Sequence, residues 1–322
     1  MPPANLPADL SLLRTALEWH RAGHGVAVAS VVSTWGSAPC PAGSQLVIRA
    51  DTRFEGSVSG GCVETAVISS AVDLLARDDP KPVLLSFGVS DEDAFEVGLA
   101  CGGAIDVLLQ VVTVGGDGLT TALLEELLRA GTERQPYVLA CHLNAARCQL
   151  LHPSVAFGAA DSPCTTLQEH VDRAARDDRS ARTDDHFLRV FNPPLRLLIV
   201  GAVHIAQHLA AMAYRCHYEV TVIDPREAFL HSRFEGVASS SQWPDAALRA
   251  HAPDARTAVV TLTHDAKLDD PALEVALASN AFYIGALGSR RTQGKRRTRL
   301  LALGHDEATI DRISGPVGLD LG

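Results

Sequence analysis

The sequence predicts an α/β protein in two parts, a mixed α/β region followed by a doubly wound parallel sheet. Three observations predict it. Residues 195–226 read as strand, tight turn, helix and strand, and Asp224 closes the second strand at the spacing from Gly201 where dinucleotide folds carry a ribose-binding acid. Thr257 to Thr263 and Ala281 to Leu287 supply further strands, each followed by a turn and a helix. Before residue 112, β-branched apolar runs alternate with glycine-rich loops, and Asn192-Pro193-Pro194 separates the two parts. The expected domains are 1–190, N-terminal and mixed α/β, and 195–322, C-terminal and Rossmann-like.

The elements follow in order. Leu10, Leu13 and Leu17 recur at helical spacing in a segment that ends before Gly23. Gly25 to Ser33 is β-branched and reads as a buried strand. Ser44 to Arg49 and Phe54 to Val58 predict a hairpin around Ala50-Asp51-Thr52-Arg53. A helix is expected from about Val63 to Arg77, a strand over Pro82 to Phe87, an acidic helical turn before Cys101, and a strand over Ala104 to Val112. Past the break at Val114 to Gly118, Thr120 to Ala130 reads as a helix and Pro136 to His142 as a strand. From about Val155 to Asp185 the chain is polar, with charge runs such as Arg176-Asp177-Asp178-Arg179. This predicts a solvated helix and linker with no site.

Composition narrows the function classes. A length of 322 residues suits about two domains, and 47% hydrophobic with 20% charged residues is a globular balance. A net charge of −10 argues against general binding to nucleic acid or acidic membrane. The start, MPPANLPADLSLL, lacks a basic stretch and a long apolar core, so no secretory signal is expected, and no apolar run is long enough to span a membrane. The seven cysteines (40, 62, 101, 141, 148, 164, 216) are odd in number and predict reduced thiols in a cytoplasm. None forms CxxC, so no structural zinc site is expected, and Cys141, His142 and Cys148 read as core or surface residues.

The main candidate site is Gly56 to Glu64, GSVSGGCVE. Gly60 and Gly61 precede a helix start, where free backbone N–H groups favour an anion and where Cys62 would be pushed toward thiolate. Glu64 falls in the first helical turn, where its charge suits the helix dipole. Two stretches share this chemistry, GSAPCPAG with Cys40, and Cys101-Gly102-Gly103. The alternative is that the glycines make turns and the cysteines are small buried apolar residues.

In the C-terminal part, the expected G-x-G-x-x-G/A reads Gly201-Ala202-Val203-His204-Ile205-Ala206. Val203 replaces the glycine that lets backbone approach a pyrophosphate. Asp224 is either a ribose partner or an ion-pair partner of Arg226. Ser289, Arg290 and Arg291 fall at the end of a strand and the start of a helix. There a bound anion or an acidic partner would offset cations that oppose the dipole. Lys295 to Arg299 reads as a solvated helix face.

Taken in order, GSAPCPAG, GSVSGGCVE and LACGGAIDVLL over residues 11–112, and LLIVGAVHIAQHLAAMA, VTVIDPR, VVTLTHDAKLDDPAL, YIGALGSRRT and GPVGLDLG over 196–322, resemble the XdhC family. These are the XdhC/CoxI-type accessory proteins of xanthine dehydrogenase and related molybdenum hydroxylases. Residues from about 115 to 190 match no part of it. The resemblance implies a cofactor chaperone rather than a catalyst. Such a protein binds the molybdenum cofactor (molybdopterin), holds it while a cysteine desulfurase or sulfurase exchanges an oxo ligand for sulfide, and delivers it to apo-xanthine dehydrogenase or a related hydroxylase. The candidate cofactor-binding set is then Gly60, Gly61, Cys62, Glu64, Cys101, Gly102, Gly103, Gly201, His204, Asp224, Ser289, Arg290 and Arg291, with Cys62 first and Cys101 second as molybdenum contacts. The expected assembly is a cytoplasmic homodimer with no nucleic acid or membrane partner. Two departures stand out. Val203 occupies a position that is usually Gly in the family, and the chain stops at Gly322 where members usually continue into one more helix, which suggests a short form.

Two other functions compete. An NAD(P)-dependent oxidoreductase would use the Rossmann-like domain with His204 or His264 as its acid, and Val203 speaks against it. A pure interaction module for the dehydrogenase would leave the glycine–cysteine loops without a reason.

Overall fold

The computed structural model describes residues 8–36, 40–61, 63–88, 103–154, 165–231, 234 and 236–319. The chain divides into two compact units, Met1–Pro193 and Pro194–Gly322.

The N-terminal unit begins with helix α1 (Ala8–Arg21), followed by strands β1 (Val26–Trp35), β2 (Gln45–Arg49) and β3 (Phe54–Gly56), helix α2 (Glu64–Leu75), and strands β4 (Val83–Phe87) and β5 (Ala104–Val111). The strands form a five-stranded sheet in the order β3-β2-β1-β5-β4. Every neighbouring pair in it is antiparallel. One face buries Val26, Val28, Val32, Val47 and Leu108 against Leu10, Leu13 and Leu17 of α1. The other buries Ala27, Ala29, Val31, Leu46, Ile48 and Leu109 against Val67, Ala71 and Leu74 of α2. Burial on both faces explains why β1 is apolar at nearly every position instead of alternating.

The antiparallel order has one consequence for function. β1 ends at Trp35, β2 begins at Gln45, β3 ends at Gly56 and β5 begins at Ala104. All three glycine–cysteine stretches therefore lie in connections that meet the same end of the sheet.

A second layer follows: α3 (Thr121–Thr132), β6 (Tyr137–His142), β7 (Cys148–Leu151), α4 (Leu167–Arg176), β8 (Ala181–Arg182) and β9 (His186–Phe191), with the strands in the order β7-β6-β9-β8. The helix expected within 155–185 is present as α4, but it is packed rather than solvated and is followed by strand β8 rather than linker, while residues 155–164 lie outside the described residues. α4 lays Val171, Ala174 and Ala175 onto Val138, Ala140, Leu188 and Val190, and it starts with a capping box between Thr166 and Glu169. Its apolar stripe is narrow and its other faces are charged, so bulk polarity hides it.

The expectation of reduced thiols is corrected for one pair. Cys141 and Cys148 are disulfide-bonded, because the β6–β7 register sets them directly opposite with Cα atoms 4.2 Å apart. Asp106 on β5 ties the two sheets together. It accepts from Ser33 Oγ of β1 and Ser86 Oγ of β4, each at 2.7 Å, and from Arg182 of β8 at 2.7 Å. Burial pushes its pKa up, but the two hydroxyls and the guanidinium outweigh this and hold it below the ordinary carboxylate value.

The C-terminal unit runs β10 (Arg196–Val200), α5 (His204–Arg215), β11 (Glu219–Ile223), α6 (Glu227–Leu230), β12 (Ala238–Ser240), α7 (Pro244–His251), β13 (Thr257–Thr261), α8 (Ala266–Leu277), β14 (Tyr283–Ala286), α9 (Arg290–Ala302), α10 (Glu307–Ile310) and β15 (Ile313–Ser314). Its six-stranded sheet has the order β12-β11-β10-β13-β14-β15. Every pairing is parallel. This is the doubly wound order, reversing between β10 and β13, and ligands of such sheets bind outside the carboxyl ends at that reversal. Apolar cores lie on both faces, one around Leu198, Val200, Val259 and Leu273, the other around Ile199, Ala206, Val222 and Val260. Among the described residues, no helix is long and apolar enough to cross a membrane.

Candidate functional site

In the N-terminal unit, the segment Ser57 to Gly61 wraps around the carboxylate of Glu64. Oε1 accepts from Ser57 Oγ at 2.7 Å and from the amides of Val58 (3.1 Å), Ser59 (2.9 Å) and Gly60 (3.1 Å). Oε2 accepts from the Gly61 amide at 2.9 Å and from Ser59 Oγ. Gly60 and Gly61 have φ of 78° and 119°, which lets their N–H groups turn inward onto one anion. Glu64 is 8% exposed. Burial pushes its pKa up, but the Ser59 and Ser57 hydroxyls and the Ser59 amide outweigh this and hold it at about 2. The sequence offers these N–H groups to an external anion; in the structure Glu64 itself fills the cradle. It is the first residue of α2, and Val63, the N-cap, makes no side-chain cap bond.

The described residues of the other two stretches come to the same end. Cys40 Sγ lies 3.8 Å from Ser57 Oγ, which sets the GSAPCPAG connection against the Glu64 loop. Cys40 is a free, half-buried thiol. Gly103 directly precedes Ala104, which sits opposite Trp35 in the β1–β5 register. Trp35 is 72% exposed. Cys62, Cys101 and Gly102, and the acidic turn expected before Cys101, lie outside the described residues. Sequence reasoning missed Ser57 and Ser59 as the hydroxyl donors, and it missed Trp35. The serines stand inside the GSVSGGCVE motif, and the tryptophan is the residue directly before GSAPCPAG.

In the C-terminal unit, the carboxyl edge of the sheet is tightly built. Gly201 has φ 108°, and a Cβ there would stand 2.7 Å from Thr263 Cγ2, so the turns after β10 and β13 touch only because it is glycine. Asp224 is fully buried. It accepts from the Ala202 amide at 2.8 Å, from the Arg226 amide at 3.0 Å, and from Arg226 Nε and NH2 at 2.8 and 2.7 Å. Burial works against the charge, but the Arg226 guanidinium and the Ala202 amide lower its pKa. The second of its two expected roles, pairing with Arg226, is the arrangement present.

Val203 caps α5 in extended conformation without a side-chain bond, and it packs toward Ala206 and Ala210. His204 is exposed and meets the His208 ring edge-on at 4.9 Å. His264 is exposed in left-handed backbone at φ 61°. With a valine at the pyrophosphate turn and both Asp224 oxygens engaged, millimolar NAD or NADP is expected to give no binding heat in calorimetry. Micromolar affinity would restore the dinucleotide reading.

Ser289 caps α9, its Oγ accepting from the Thr292 amide at 3.2 Å, and Arg290 and Arg291 are exposed at the helix start. The reading of Lys295 to Arg299 as a solvated face holds for the exposed Lys295 and Thr298 and is corrected for the three arginines. Arg296 is 2% exposed; it donates to Gln293 Oε1 at 2.6 Å and Leu287 O at 3.1 Å and lies 3.6 Å from Asp269. Arg299 makes a two-point contact with Asp270, one arm at 2.9 Å, and Arg297 pairs with Asp311 and, at 3.4 Å, with Glu307. The acids come from α8 and from residues at and just after α10, so the local charge run could not reveal them. Among the described residues, no cluster of three or more His, Cys, Asp or Glu side chains is arranged to hold a metal ion.

Comparison with known proteins agrees with this architecture. Residues 197–322 match the XdhC Rossmann domain, and residues 19–88 match the XdhC and CoxI family. The chain is 29% identical over 309 residues to the molybdenum cofactor insertion chaperone PaoD of Escherichia coli strain K12, covering 96% of this chain and 81% of that protein. It is 26% identical over 300 residues to a probable xanthine dehydrogenase subunit from Bacillus subtilis strain 168, covering 92% and 87%. A crystal structure of a xanthine dehydrogenase from Bacillus halodurans shares the fold, with a TM-score of 0.66 over 98% of this chain and 90% of that one at 23% identity. With the Rossmann and the XdhC/CoxI segments both matched and in the expected order, the chain belongs to the XdhC family.

Proposed function

We propose that this protein is an accessory factor that binds the molybdenum cofactor, holds it for sulfuration and hands it to xanthine dehydrogenase or a related molybdenum hydroxylase, with no turnover of its own. The observation that carries the reading is the gathering of the glycine–cysteine connections at one end of the five-stranded sheet, around a loop already fixed by Glu64. The donor set suits the cargo. Thiols are soft ligands for molybdenum, and Gly61, where an added Cβ would meet open space, leaves backbone approachable. Cys62 is the first molybdenum contact and Cys101 the second, with Gly60, Gly61, Gly102 and Gly103 giving access. Ser289, Arg290 and Arg291 hold the cofactor phosphate or an acidic surface of the target enzyme. The partners are the apo-hydroxylase and a cysteine desulfurase, met by a homodimer in the cytoplasm. A chaperone role is also what the name of the Escherichia coli relative describes.

The test is to purify the protein from a molybdopterin-producing host and measure its absorbance and molybdenum content. Cys62→Ala is expected to lower bound cofactor by roughly tenfold or more, since even outer partners of metal ligands are worth that much. Circular dichroism and melting temperature should stay near wild type. Equal occupancy in the variant removes Cys62 from the site, and a cofactor-free wild-type protein removes the reading.

A further inference from the structure

We infer that the glycine–cysteine end of the N-terminal unit receives the uncharged, planar heteroaromatic ring of its ligand, stacked on Trp35, and does not bind the ligand's phosphate. This rests on the cofactor-binding reading above and says which part of the cofactor this site recognises.

Electrostatics turn a phosphate away. A glycine-rich turn at a helix start would ordinarily suit one. Here the amides of Val58, Ser59, Gly60 and Gly61 and two hydroxyls already converge on the ionised Glu64 carboxylate. A second anion would find those donors engaged and would meet the like charge of Glu64. Among the described residues, cations to offset it are missing as well. The described stretches that form this end, residues 33–36, 40–45, 56–61, 86–88 and 103–106, contain no Lys or Arg. Two guanidiniums approach from the second sheet, and both are committed. Arg182 is held by Asp106 at 2.7 Å. Arg189 is buried and donates to Ser180 Oγ and Val190 O, each at 3.2 Å.

Trp35 supplies what a neutral ring needs. Positions 26–32 of β1 are buried, yet the strand finishes on an indole that is 72% exposed. Its place in the register, opposite Ala104 and beside Gly103, puts it between two of the glycine–cysteine stretches. The chain that leaves it returns through Cys40, which lies 3.8 Å from the Glu64 loop. A large π-face held in water at the rim of thiol-bearing loops is a stacking platform. Stacking accepts a neutral ring without needing a counter-charge.

The experiment titrates full-length protein into 6-hydroxymethylpterin, a pterin with no phosphate, and follows quenching of the pterin's own fluorescence. The expected result is saturable quenching by wild type, retained in Trp35→Phe and weakened about tenfold in Trp35→Leu, the scale of losing one aromatic stacking partner. Millimolar inorganic phosphate should leave the curve unchanged. At an exposed position both variants should keep the wild-type melting temperature. Cofactor content after expression in a molybdopterin-producing host is measured in parallel. If wild type carries cofactor but Trp35→Leu binds pterin equally well, or phosphate competes, the stacking inference is overturned while the chaperone reading stands. If wild type carries no cofactor and binds no pterin, both fall.

Discussion

Glu64→Ala is expected to lower the melting temperature of the N-terminal unit by roughly 6–12 °C, the shift that ~3 kcal/mol produces in a domain of this size. Two views of the same hydrogen bonds give that magnitude. The substitution leaves the buried amides of Val58 and Ser59 without their acceptor, at about 1–3 kcal/mol each, while Gly60 and Gly61 face solvent and can be hydrated. Alternatively, a pKa moved from an ordinary 4.5 to about 2 corresponds to ~3 kcal/mol of preference for the ionised form in the folded state. The depressed pKa also fixes the pH window. The stabilisation is complete above the ordinary value and is lost as pH falls from there through about 2. Thermal melts followed by circular dichroism at pH 7 and pH 3 check this: the gap between wild type and Glu64→Ala should shrink at the lower pH. Glu64→Gln keeps one acceptor oxygen and should fall between the two at pH 7. A Glu64→Ala protein that melts like wild type at pH 7 would show that the loop is held by something else.

Asp269→Ala is expected to destabilise the C-terminal unit by about 3–5 kcal/mol, because it strands Arg296 as a buried charge. Asp269 is 1% exposed and accepts from Thr263 Oγ1 at 2.6 Å; Arg296 stands 3.6 Å away, and among the described residues its Nε has no hydrogen-bond partner. Burial pushes the Asp269 pKa up and the Arg296 pKa down, so each partner loses more in hydration than the other returns. The pair therefore contributes little net stability, although breaking it is costly. The double variant Asp269→Leu/Arg296→Met should recover most of the loss, because it removes both charges at similar volume. Denaturant unfolding of the two variants decides it. A double variant as unstable as Asp269→Ala would show that the pair is favourable in itself.

The C-terminal fold is legible in the sequence because a parallel sheet covered on both faces needs apolar runs without alternation, and LRLLIV, VTVI and AVVTL are such runs. Gly201 is legible for a related reason: only glycine tolerates that turn against Thr263. The fates of Lys295 to Arg299 are not legible. Arg296, Arg297 and Arg299 are decided by acids on α8 and around α10, which only the folded chain brings near. The same holds for Cys141 and Cys148, whose bond follows from strand register. α4 shows that a charged segment can still own one apolar stripe. Glu64 is the instructive case at the site. Its donors lie only three to seven residues away, but their convergence depends on left-handed glycines, so the motif reads as an open anion site when it is a filled one.

Asp106 joins β1, β4 and β5 to Arg182 of β8 through one carboxylate. The core that includes Leu13 and Val28 also runs on into Leu139, Cys141 and Phe187 of the second sheet. Opening the second sheet would expose this shared core and unpin a carboxylate that the first sheet relies on. The two sheets are therefore expected to unfold as a single cooperative unit. The segment 165–191, polar as its sequence is, is no earlier a point of local opening or proteolytic entry than the strands that precede it, and the scaffold beneath the glycine–cysteine loops stays intact or is lost as a whole.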